Sequence, residues 1–228
     1  MNPIRLLQSQ GFGTRRACRS MILDGRVMVK GEVITDPEME LEPEGLTFSV
    51  DGEAWQYREK AYVMLHKPAG YECSRQPKHH PGVLSLLPPQ LAERGVQTVG
   101  RLDEDTTGLL LLTDDGAFIH AMSSARKKVP KVYRVATKHA ISGEQLAALL
   151  NGVMLNDETE PVSAAAAEKL DEHTLRLVLT SGKYHQVKRM VAASGNRVEA
   201  LHRESVGPYV LAPDLAPGKW RWLDLDGV

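Results

Sequence analysis

Residues 99–116, VGRLDEDTTGLLLLTDDG, decide how this chain is read. Leu109 to Leu112 form a short continuous apolar run, and such a run bounded by turn formers marks a strand buried on both faces. Val99 closes another short strand. The loop between them carries Arg101, Asp103, Asp105, Thr106 and Thr107, with Gly100 and Gly108 at its ends. Aspartate is a poor strand former and a good turn former, so a lone loop Asp is ordinarily structural. Here buried strands on both sides can hold the loop rigid, and Arg101 precedes Asp103 by two. A carboxylate on a rigid, half-buried loop is a common mounting for chemistry.

The rest of the composition sets bounds. With 228 residues, the chain is one large domain or two small ones. Hydrophobic content of 42% and charged content of 25% are ordinary for a globular protein. No apolar run is long enough to span a membrane, and no signal-peptide pattern opens the chain. Cys18 and Cys73 lie far apart with no CxxC, which argues against a disulfide scaffold or zinc site and fits a reducing cytoplasm. A net charge of −1 gives no global signal for nucleic acid, so basic residues would have to gather locally. They do: Arg5, Arg15, Arg16, Arg19, Arg26 and Lys30 face only Asp24 in the first thirty positions, and the next segment is acidic. The asymmetry suggests a small module with one basic face, although a solvated surface would also tolerate it.

Local patterns give that module a shape. Residues 3–10 read as a short helix, and Thr14 is an N-cap for a helix over 15–23. Cys18, Met21 and Ile22 face inward on the second helix, leaving Arg15, Arg16 and Arg19 on its other side. Strands over 26–29 and 32–35 meet at Lys30-Gly31, and another covers 46–50. Two helices, a hairpin and the Thr14-Arg15-Arg16 and Gly25-Arg26-Val27 motifs resemble the small RNA-binding module named after the fourth small-subunit ribosomal protein. That family usually places Asn or Asp where Lys30 stands, because the position needs φ > 0. The polar stretch 53–60 reads as linker, giving domains at 1–55 and 61–228 with 56–60 between.

Beyond it, a strand over 61–66 stops at Lys67-Pro68. The basic loop 74–82 holds His79 and His80 without further metal ligands at workable spacing. A strand over 131–137 puts Lys131, Tyr133 and Val135 on one face. A helix over 142–151, strands over 161–168 and 174–180, and a helix over 184–194 follow. The last has an apolar stripe of Tyr184, Val187 and Val191. Lys188 lies on that stripe and Arg189 points away. An inward lysine is costly unless a carboxylate meets it; otherwise it snorkels to the edge.

GRLDEDTTGLLLLT, together with LHKPAGY (65–71), the Lys131-x-Tyr133 segment, GKYHQVKRM (182–190) and the closing PGKWRWL (217–223), resembles the RsuA/RluA superfamily of RNA pseudouridine synthases. The DTTGLLLLTDDG continuation and Lys188 favour its RsuA branch. The resemblance implies an α+β protein, with the small α-α-β RNA-binding domain ahead of a catalytic domain on a mixed, largely antiparallel sheet flanked by helices. It implies Asp103 as catalytic carboxylate, Tyr133 stacking on the target base, and Lys188 pairing with Asp103. Asp103 would either attack C1′ or take the 2′ proton. Substrate contacts are expected from Arg101, Leu102, Thr106, His185, Gln186, Val187 and Arg189. RNA contacts are expected from Arg5, Arg15, Arg16, Arg19, Lys30, Lys67, Arg126 and Lys127. Small-subunit ribosomal RNA or its assembly intermediate is the expected partner of a cytoplasmic monomer without cofactor, metal or membrane attachment. Two other readings stand beside this one: a metal-dependent nuclease using Asp103, Asp105, Asp114 and Asp115, and a non-catalytic protein that binds ribosomal RNA.

Overall fold

The structure, a computed structural model, describes residues 1–225. They form two compact units: residues 1–61 with 87–97 and 113–115 in one, the remaining described residues in the other.

In the first unit, α1 (Pro3–Ser9) begins at Asn2, whose side chain accepts from Arg5 N, and α2 (Arg15–Leu23) begins at Thr14, which accepts from Ala17 N. Each cap satisfies a helix-end amide that would otherwise lack a partner, a contribution of about 1 kcal/mol. Four strands, β1 (Val27–Val29), β2 (Glu32–Ile34), β3 (Thr47–Val50) and β4 (Glu53–Gln56), form a sheet in the order β2-β1-β3-β4. Leu6 and Leu7 of α1, Cys18 and Ile22 of α2, and Val27 and Phe48 of the sheet share one core. The β1–β2 turn places Lys30 at φ 51° and Gly31 at φ 84°. Both lie in the left-handed region, so Lys30 accepts the strain that Asn or Asp would carry more easily.

Two details of this unit differ from the sequence reading. Residues 53–56 are a strand, not linker: β4 pairs antiparallel with β3, and Trp55 and Tyr57 pack against the core. The five-residue α3 (Pro89–Glu93) has no periodic signal in the sequence. Arg94, which follows it, donates Nε to Asp114 Oδ2 at 2.7 Å and Nη1 to Gln10 Oε1 at 3.0 Å. Asp114 Oδ1 accepts from Ala61 N. Asp114 is thus a structural acid, engaged by Arg94 and the backbone rather than free to ligate a metal.

The larger sheet and its helices follow the chain through β5 (Tyr62–Lys67), β6 (Gln97–Thr98), β7 (Thr107–Thr113), α4 (Gly116–Ser123), β8 (Lys131–Thr137), α5 (Gly143–Asn151), β9 (Ala166–Lys169), β10 (Thr174–Leu179), α6 (Gln186–Ala193), β11 (Val198–Val206), β12 (Tyr209–Val210) and β13 (Trp220–Trp222). The main path of the sheet runs β13-β5-β7-β11-β8-β10-β9. β7 and β11 are parallel, whereas β13–β5, β11–β8, β8–β10 and β10–β9 are antiparallel. Gly108 permits the parallel pair: it sits at φ 108°, and a Cβ there would lie 2.3 Å from Arg203 O.

One sheet face carries Val135, Leu175, Leu177, Leu179 and Leu201 into a core with Leu149 of α5 and Val187, Met190 and Val191 of α6. On neighbouring positions of the same strands, Glu204 accepts from Arg134 Nε at 2.9 Å and Arg176 Nε at 3.1 Å, tying β11 to β8 and β10. The strand expected over 161–168 is shorter and later, Ala166–Lys169; Val162 makes only an isolated bridge to Val153. The expected helix over 184–194 begins at Gln186, because His185 adopts φ 46°. Tyr184 therefore leaves the apolar stripe and is 72% exposed.

Candidate active site

The loop after β6 is fixed from beneath by a buried cation. Lys67, the last residue of β5, is 0% exposed, and its Nζ donates to Pro68 O at 3.0 Å, Glu104 O at 2.9 Å and Thr106 O at 2.8 Å. An ammonium has three donors, and all three are used. Burial pulls the Lys67 amine below its ordinary value, while the nearby Cys73 thiol and the loop acids oppose that shift. The same loop is tied by Gly70 N to Glu104 O at 3.0 Å and by Thr106 N to Asp103 O at 3.1 Å. Lys67 is thus a clamp on the loop's main chain. This corrects its expected place among the RNA contacts, since no donor of a fully buried ammonium remains for a phosphate.

The clamp presents the Asp103 carboxylate half-buried. Lys188 Nζ, from α6, stands 3.1 Å from Asp103 Oδ2, and His185 Nε2 stands 3.3 Å from Asp103 Oδ1. Lys188 also donates to both oxygens of Asp105, at 2.7 and 2.9 Å. Burial works against the charge on Lys188, but the hydrogen bonds and charges of Asp105 and Asp103 outweigh it and hold its pKa above the ordinary value. For Asp105, burial favours the neutral acid, and Lys188 reverses this so that its carboxyl titrates below the usual range.

Asp103 opens onto a cavity of about 420 Å³. Its walls follow from the sheet register. Tyr133 of β8 pairs with Arg203 of β11 and with Leu177 of β10, so their side chains leave the same face. This is the face that packs on α6, and at its Lys131 end the apolar filling gives way to Lys131, Tyr133 and Arg203, which line the cavity.

The expected site residues distribute unequally. Arg101, Leu102, Asp103, Thr106, Tyr133, His185, Gln186, Val187 and Lys188 all line the cavity. Leu102 N donates to Cys73 Sγ at 3.5 Å, and Gln186 Oε1 accepts from Lys183 N at 2.9 Å, fixing the turn into α6. Tyr184 and His185 stack, with ring centroids 3.8 Å apart. Arg189 is a correction: its guanidinium binds Asp157 and the Tyr184 carbonyl, and it does not line the cavity. Arg5, Arg15, Arg16, Arg19 and Lys30 are exposed on the first unit, with Arg19 3.5 Å from Glu38; Arg126 and Lys127 are exposed on the second. Among the described residues no group of three or more His, Cys, Asp or Glu is placed to hold a metal ion. The sequence reading did not place Asp105 against Lys188, nor Lys131 and Arg203 in the cavity wall. The available signal was spacing: Lys131 alternates onto the Tyr133 face, and Arg203 onto the Leu201 face.

Residues 61–193 match the RNA pseudouridylate synthase family and residues 5–45 the S4 domain family. The chain is 40% identical to ribosomal small subunit pseudouridine synthase A of Yersinia pestis over 96% of its length and 94% of that protein. It is 39% identical to the protein of that name from Escherichia coli (strain K12), over 93% of this chain and 92% of that one. A crystal structure of a pseudouridylate synthase superposes with a TM-score of 0.70 at 32% identity, covering 99% of this chain and 97% of that one.

Proposed function

The chain belongs to the RNA pseudouridylate synthase family, and from that premise we propose that it isomerises one uridine of small-subunit ribosomal RNA, with Asp103 as the carboxylate that acts on the ribose. The observation that carries this reading is the half-buried Asp103 carboxylate, held on a clamped loop at the mouth of a cavity that Tyr133 also lines. Isomerisation breaks the N1–C1′ bond, turns the base and joins C5 to C1′, with no atom gained or lost. A glycoside hydrolase needs a second carboxylate to handle water or the leaving group; here uracil leaves and returns, so one suffices. Lys188 compensates the carboxylate's charge, and Tyr133 offers a stacking face for a base taken out of the helix. The exposed arginines of α2 supply phosphate contacts that position the RNA. We place the protein in the cytoplasm as a monomer; Cys18 and Cys73 are both free and buried, in keeping with a reducing compartment.

Asp103→Asn keeps the shape of the side chain and removes its nucleophilic and basic character. The expected result is loss of pseudouridine formation with RNA affinity kept within about threefold; residual turnover within about tenfold of the parent would overturn the role of Asp103. Sequencing pseudouridines in ribosomal RNA from cells lacking the gene should reveal one lost small-subunit site. A loss confined to the large subunit would overturn the substrate assignment.

A further inference from the structure

Building on that isomerisation, we infer that Arg203 and Lys131 form the subsite that receives the detached uracil and stabilises its negative charge. Arg203 is only 2% exposed, its Nε is fixed by Leu109 O at 2.9 Å, and its Nη2 is buried with no hydrogen-bond partner. Lys131 Nζ donates to Val129 O at 3.1 Å, which leaves two of its three donors for another acceptor. Among the described residues neither side chain forms an ion pair, although both line the cavity that Asp103 and Tyr133 share. Burial, and after it the charge of the neighbouring Arg203 guanidinium, lower the pKa of Lys131. Unpaired buried charge is costly, so the arrangement lacks an acceptor-rich, electron-rich group.

The reaction supplies one. When N1–C1′ breaks, the electron pair stays with the base, whether Asp103 bonds to C1′ or takes the proton of C2′. The uracil anion shares that charge over N1, O2 and O4. When C5 bonds to C1′, the carboxylate leaves or the C2′ proton returns. The C5 proton is then given up and N1 takes one, so no outside reactant enters. Arg203 is the register partner of Tyr133 across β11 and β8, so both side chains rise from one face, where a ring stacked on Tyr133 would direct an edge toward the guanidinium. A backbone phosphate stays tethered on both sides and is a poor match to a group so deeply buried; a flipped base is not. Donors aimed at developing charge in a dry site are among the strongest catalytic effects.

The test is single-turnover cleavage of the N1–C1′ bond in Lys131→Gln and Arg203→Gln, on RNA with uridine or 5-fluorouridine at the target. Fluorine makes the departing uracil anion more stable on its own. We expect the uridine rate to fall about tenfold in Lys131→Gln and about a hundredfold in Arg203→Gln, with RNA affinity within about twofold. The penalty on 5-fluorouridine should be several-fold smaller. Equal penalties on the two RNAs, an unchanged rate in Lys131→Gln, or a loss of affinity in place of rate would overturn the inference; the last would indicate a phosphate site. Lys131 is only partly buried, so Lys131→Gln decides the matter if Arg203→Gln does not fold. An Asp103→Asn variant that still turns over would overturn the reading of the site itself, a different outcome from these.

Discussion

Lys188 Nζ sits 2.7 Å from Asp105 Oδ1 and 3.1 Å from Asp103 Oδ2, so a single ammonium is shared between two carboxylates of one loop. Without it, two like charges two residues apart would face each other in a partly dry site. Lys188→Met should therefore lower the single-turnover rate by about a hundredfold, while Asp105→Asn, which leaves Lys188 to Asp103 alone, should lower it by no more than about tenfold. The double variant Lys188→Met/Asp103→Asn should be no slower than Asp103→Asn, because groups acting as a unit are not additive. Additive losses in that cycle would show the pair to be independent.

Lys67→Met tests the clamp. Methionine fills the space but strips a donor from the carbonyls of Pro68, Glu104 and Thr106. Stranding buried acceptors should cost about 3 kcal/mol of unfolding free energy. The rate should fall as well, because the loop that carries Asp103 loses its clamp. Denaturant unfolding and single-turnover rates on the same preparation check both, and unchanged stability would mean the loop is held by other means.

Arg15, Arg16 and Arg19 are exposed along α2. Replacing all three with alanine should flatten the dependence of RNA affinity on salt, by a slope of about 1 for each arginine that pairs with a phosphate. Arg19 also meets Glu38, so its single replacement should count least. Parallel salt plots for variant and parent would remove α2 from the RNA interface.

Glu204 supplies a pH-dependent contribution far from any titrating role in the chemistry. Burial favours its neutral form, but the hydrogen bonds of Arg134 and Arg176 prevail and hold its pKa below the ordinary 4.5. A carboxyl lowered by folding stabilises above its unfolded pKa and loses that stabilisation as pH falls through the folded value. Glu204→Gln should thus cost about 1 kcal/mol at neutral pH. The gap between parent and variant should close in acid below pH 4.5. A gap that stays constant through that acid range would exclude the ion pairs as its source.

How much of this was legible in the sequence depends on how local the cause is. The apolar run at 109–112 and the Thr14 cap declare themselves within a few residues, and both elements stand where the pattern puts them. The edge strand β4 is Glu-Ala-Trp-Gln, and only its pairing with β3 and the docking of Trp55 make it a strand. Likewise α3 is too short to carry a period. In the site, an inward Lys188 announces a counter-charge, yet nothing local says that Asp105 shares it, because 83 residues separate the partners. Nothing near Arg203 in the sequence announces its burial, which depends on β7 lying beside β11, an approach that Gly108 permits.

Glu104 holds the clamp through its carbonyl oxygen, which takes both Lys67 Nζ and Gly70 N, while its carboxylate lies 3.8 Å from His80 Nε2. The address of Asp103 is consequently written in main-chain atoms that every residue type possesses. A change of side chain at position 104 would leave both of those main-chain bonds in place. Position 67 has no such freedom, since among the natural side chains only lysine delivers three donors to one point.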